Sequence, residues 1–234
     1  FFDKVEISDL DDIVARAKSL LAKQVLLRGI FDAQITVLTN RGCPEYLTNL
    51  LQKEKDSVIQ KASKMVIKDG RIPILPVINL ESLGYHGLMT MVRNGEKSGI
   101  PEGSKELLEM ADDVKTPQGA YYIYDVYVEG ETCNQKCAGS PPVFPCKFCG
   151  DGTRTRLTAA EVIALATHAT DDILHRNLWS HGHDLLIRLD ENGTPILSAE
   201  RSFSSWSIGS GCHYHLSYNA ENGRRNYYPS CIRE

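Results

Sequence analysis

Four of the seven cysteines of this 234-residue chain fall within 17 residues: Cys133-Asn-Gln-Lys-Cys137, a Pro-rich turn, then Cys146-Lys-Phe-Cys149-Gly150. No other feature limits the fold so much. Two close cysteine pairs joined by a tight turn suit tetrahedral coordination, each pair offering two thiolates from one side. The segment has little apolar area to bury, so ligation supplies most of its folding energy. Cys133, Cys137, Cys146 and Cys149 are therefore expected to hold one structural Zn²⁺ per chain, a site with no vacancy and hence no catalytic position. Lys136 and Lys147 would offset the charge of four thiolates. The first pair has C-x₃-C spacing where structural knuckles commonly use C-x₂-C, and two local disulfides, an iron–sulfur cluster or free thiols remain alternatives.

The rest of the composition narrows the class. Apolar residues make up 42% and charged residues 24%, as in ordinary globular proteins. No apolar run approaches the ~18 residues of a membrane helix, so no membrane partner is expected. Phe1-Phe2 is followed at once by Asp3, Lys4 and Glu6, unlike the apolar core of a signal peptide. The odd cysteine count and the clustering favour a reducing, cytoplasmic setting. A net charge of −4 argues against a surface built wholly for nucleic acid. Locally, though, Lys136, Lys147, Arg154 and Arg156 outnumber Glu131 and Asp151, and such basic flanks can touch a nucleic-acid backbone. A plain solvated loop explains the same charges.

Periodicity supplies the frame. Ser8, Asp11 and Asp12 open a helix whose apolar positions run from Leu10 to Leu21, with Gly29 as its stop. A second helical stretch follows Pro44 through Val66, making a hairpin. Arg71 to Leu80 is β-branched and broken by prolines, which predicts an edge strand. Residues 84–104 read as an irregular connection around a short helix at Leu88–Val92, and Lys105–Asp112 as another short helix. Tyr121–Val128 is a strand. Thr158 and Glu161 form a capping box before a helix carrying Val162, Leu165, Ala166, Ala169 and Ile173. Asp184–Leu189 and Pro195–Ala199 flank Asp-Glu-Asn-Gly, a hairpin signal, and the tail to Tyr228 adds short strands. The order predicts an α+β fold: a helical region over 1–69, then a domain over 70–234 with a mixed or antiparallel sheet and the cysteine loop, 131–150, inserted in it.

Two further clusters carry chemistry. His181-Gly-His183-Asp184 and Cys212-His213-Tyr-His215 place histidines at alternate positions, which on strands share a face. Paired, they can hold a catalytic metal with an open position, the signature of a metal-dependent hydrolase. Structural or exposed histidines are the commoner outcome. His168 sits at the edge of its helix stripe as a half-buried hydrogen-bonding residue. Ile208–Cys212 is glycine-rich but lacks the G-K-[ST] end of a phosphate loop. Cys43, Cys212 and Cys231 read as small buried thiols, the last two able to pair under oxidising conditions.

Gly70-Arg71-Ile72-Pro73, Tyr122-Ile123-Tyr124-Asp125-Val126, Leu157-Thr158-Ala159-Ala160-Glu161 with Ala164-Leu165 and Thr167-His168, and Trp206 through Gly209-Ser210 to Cys212 together resemble a bacterial family, domain of unknown function 5701. The likeness spans roughly residues 70–215. It implies a shared fold core and a bacterial, intracellular setting, and no reaction or catalytic residues. The cysteine loop has no counterpart in the family pattern and stands as an insertion after the Tyr121–Val128 strand. The segment before Cys212 is also shorter than in the family.

Two functions stand as expectations. One is a soluble binding or accessory protein with a structural zinc site, its partner a protein or ribonucleoprotein assembly. The alternative is a metal-dependent hydrolase using His181, His183, Asp184, His213 and His215. A structural subunit that oligomerises through residues 8–68 is a third reading.

Overall fold

A computed structural model describes residues 7–102, 116–128, 155–169, 171–175, 177–179, 185–199, 226–227 and 230–232. The first described element is α1 (Ile7–Asn40), which runs straight through Gly29, the expected stop. Leu27, Phe31, Ile35 and Leu38 continue the apolar period on both sides of that glycine and are buried. Their packing outweighs the ~1 kcal/mol that one helical glycine costs. The true end is Gly42, with φ +83°: its N–H reaches Thr39 O and the Cys43 N–H reaches Leu38 O. That is a Schellman cap, with buried Cys43 packed where the motif wants an apolar residue. The second helical stretch is split at Glu54 into α2 (Glu45–Lys53) and α3 (Lys55–Lys64). α3 lies along α1, tied by Lys55–Asp32 at 2.6 Å and Arg28–Asp56 at 2.8 Å, pairs exposed enough to contribute little.

These helices cover a four-stranded antiparallel sheet ordered β1 (Ile72–Ile78), β5 (Ala120–Tyr127), β11 (Ser230–Ile232) and β6 (Thr155–Arg156). β1 is at the edge, as its prolines Pro73 and Pro76 require. Tyr122 of β5 stacks on Phe31 at 5.6 Å and donates its hydroxyl to Leu51 O, while Gln34 Nε2 donates to Ile74 O.

Beyond β1, Asn79 caps α4 (Leu80–Met89) by accepting the Glu81 N–H. This helix lies earlier than the one expected at 88–92. Gly84, at φ +64°, kinks it, and the irregular backbone hides the period. In place of the expected irregular connection, α4 leads into a tight hairpin of β2 (Arg93–Asn94) and β3 (Lys97–Ser98), turning on Gly95-Glu96, and then β4 (Ile100–Glu102). Gly99, between β3 and β4, is a close approach, since a Cβ there would meet Met89 O at 2.7 Å. The helix expected at 105–112 lies outside the described residues.

A second, mixed sheet is ordered β10 (Asn226–Tyr227), β7 (Asn177–Trp179), β8 (Leu185–Leu189), β9 (Pro195–Ala199) and β4, with β10–β7 and β4–β9 parallel. The β8–β9 hairpin is the one its Asp-Glu-Asn-Gly turn predicts. Between the sheets runs α5 (Ala159–His168), packed on β1, β8, α4 and α1, followed by the short α6 (Asp171–Leu174). The architecture is α+β.

α5 is buried on every side from Ala159 to Thr167, so its first N–H groups cannot be hydrated. The capping box satisfies them. Thr158 Oγ1 accepts from Glu161 N at 3.4 Å, and Glu161 Oε2 accepts from Thr158 N at 2.8 Å. Tyr121 of β5 donates to Glu161 Oε1 at 3.2 Å. Thr158→Ala is expected to lower the unfolding free energy by about 1–2 kcal/mol. Glu161→Ala should cost roughly 3 kcal/mol, because two buried donors lose their acceptor. Urea unfolding of both variants measures the order of the two effects.

Candidate functional site

The four cysteines lie outside the described residues, but the strands that carry their loop do not. β5 ends at Tyr127 and β6 begins at Thr155. In register, Ser230 of β11 faces Tyr127 on one side and Arg156 on the other. The ends of the 129–154 segment therefore stand two strand spacings apart, about 10 Å. The segment leaves and rejoins the sheet at one level.

Its take-off is braced. Between Ser230 and Ile232 the register slips, so Asp125 and Val126 together oppose the single residue Cys231. Asp125 is the bulge residue, with φ +49°, a backbone conformation uncommon outside glycine that aspartate tolerates better than most residues. Arg71 holds it through Nη1 to Oδ2 at 2.7 Å, with both side chains largely buried. The same guanidinium lies 5.1 Å from the Tyr127 ring centroid. The bulge turns the end of β5 and the ion pair fixes the turn. Of the basic residues expected to touch nucleic acid, Lys136, Lys147 and Arg154 lie outside the described residues, and Arg156 is placed by its backbone at the loop's return.

His181, His183, Asp184, Cys212, His213 and His215 also lie outside the described residues. The first three fall between β7 and β8, which pair Trp179 with Leu186. Ala199 pairs with Leu185, the first residue of β8, so the described ends of β8 and β9 meet there. Among the described residues, no three His, Cys, Asp or Glu side chains gather as a metal site. Cys231 is fully buried next to Thr155, with 3.8 Å between Sγ and Oγ1. Cys43 is buried too, and burial pushes its thiol up to about 11, which makes it inert.

One polar cluster escapes a sequence reading because its members lie far apart in the chain. Arg41, just past the end of α1, donates from Nη1 to Met91 O at 2.9 Å. Burial and the nearby Arg93 guanidinium lower the Arg41 pKa. His168 closes the group from the end of α5. It is half-buried, as expected, but its Nε2 and the Arg93 Nε are buried without a hydrogen-bond partner among the described residues. The adjoining cavity, lined by Leu38, Met91, Ile163 and Thr167, holds only about 10 Å³, space for roughly one water.

No protein-family model matches the chain, and no curated protein or solved structure matches it either.

Burial, and then the Arg41 charge, lower the His168 pKa from 6.5 to about 4. The unfolded chain binds this proton below pH 6.5 and the folded chain does not. His168 therefore contributes full stability above about pH 6.5, lost progressively as pH falls towards 4 and worth roughly 3 kcal/mol. His168→Gln should flatten that part of the stability profile, measured by urea titration at a series of pH values. An unchanged slope would reject the assignment.

Proposed function

We propose that this chain is a binding or accessory protein whose working part is the 129–154 loop, clasped by one structural Zn²⁺ on Cys133, Cys137, Cys146 and Cys149. The observation that carries this reading is the placement of the loop's two ends, one on each side of Ser230. Closing 26 residues over that base costs about 3 kcal/mol beyond a constant. The segment is polar and proline-rich, so burial cannot supply that sum. Structural zinc binding, at roughly 10–16 kcal/mol in small thiolate sites, can. The first and last cysteines each lie six residues from a strand end, Tyr127 and Thr155, so ligation draws the loop shut at its neck.

Four protein ligands leave the metal no open position, which favours recognition over catalysis. Thiolate ligation goes with a reducing, cytoplasmic compartment. Lys136, Lys147, Arg154 and Arg156 would present positive charge at the loop, so the partner is a protein or a ribonucleoprotein with exposed phosphate. No helix among the described residues is long and apolar enough to cross a membrane.

Elemental analysis of native protein should give one zinc per chain, and Cys146→Ser with Cys149→Ser should abolish it. Four thiols that alkylate freely, or that prove disulfide-bonded, would end this reading. A metal content that survives the double substitution would point instead to the histidine segments. With zinc in place, changing Lys136 and Lys147 to Glu should weaken single-stranded RNA binding and flatten its salt dependence.

A further inference from the structure

α1 is longer than the body it packs on. Among the described side chains its first tie to that body is Lys23, whose ammonium donates to Met65 O, and Leu27 is the first fully buried apolar one. Residues 14–22 are exposed without a break, Val14 at 48%, Leu20 at 43% and Leu21 at 63%. Residues 14–22 alone make about 13 Å of helix standing clear of the described body. A free helix of this length is marginal in water, so it needs something against it.

Its sequence specifies what. Leu10, Val14, Ala17 and Leu21 recur at intervals of four, three and four, the seam of a two-stranded coiled coil. Asp11 and Lys18 follow Leu10 and Ala17 on one flank of the seam, and Ile13 and Leu20 precede Val14 and Leu21 on the other. We propose that α1 pairs antiparallel with α1 of a second copy of this chain. In that register Leu10 of one copy faces Leu21 of the other, and Val14 faces Ala17. Asp11 then stands opposite Lys18, and by symmetry Lys18 opposite Asp11, while Ile13 meets Leu20. Every flanking position finds its complement. A parallel pair sets Ile13 against Lys18 instead and loses both ion pairs. The contact is smaller than a standard interface, so the dimer is reversible. It involves neither the cysteines nor zinc.

Sedimentation velocity on the full chain tests this. Over a dilution from about 200 µM to about 1 µM, the mass should fall from twice 26.1 kDa to once that value. Lys18→Glu places Glu opposite Asp11 and should weaken the dimer about tenfold, as should Asp11→Lys. The double variant restores both pairs with inverted sign and should recover the original affinity. An unchanged thermal transition confirms that each variant is folded, since position 18 is exposed. A monomer at every concentration overturns the proposal. So does a dimer indifferent to Lys18→Glu, or a double variant no better than the single ones.

Discussion

A buried carboxylate fixes the start of the helix that lies between the two sheets. α5 has no solvent-facing side over nine residues, an arrangement that strands its first N–H groups unless the protein supplies acceptors. Thr158 and Glu161 supply them, and the leftover oxygen of Glu161 takes the hydroxyl of Tyr121 on β5. One side chain thus ends a helix and ties it to the central strand of the first sheet. The other side of α5 packs against β8 of the second sheet.

The first sheet is a platform with one open side. β1 closes its outer edge with two prolines, so few N–H groups remain for another strand to pair with. The opposite side carries β11 and the two-residue β6, from which the cysteine segment hangs. The Asp125 bulge lies at that junction, and strain of this kind concentrates where a fold positions something other than its own core. Arg71 offsets the strain, pairing with the Asp125 carboxylate while its guanidinium lies against the Tyr127 ring.

Elements governed by local rules are legible in the sequence. The α5 cap needs only Thr158 and Glu161 at the right spacing; the β8–β9 hairpin needs its turn residues; the edge position of β1 comes from its prolines. Elements governed by contacts distant in sequence are not. Gly29 reads as a stop until Phe31 is seen against Tyr122, and α4 is masked by the Gly84 kink. Asn94-Gly95 is a turn signal for the β2–β3 hairpin, but no apolar alternation flanks it to make the strands visible. In the site, cysteine spacing is readable as chemistry. The Arg41, Arg93 and His168 grouping is not, because it assembles from three elements with no motif in any of them.

The two sheets share a short tether. Tyr227 pairs in the second sheet, and Ser230, three residues on, sits between Tyr127 and Arg156 in the first. Three residues of chain span at most about 10 Å. Any slide of β10 along β7 is therefore limited to that reach before it pulls on Ser230, the residue standing between the two strands that flank the cysteine segment.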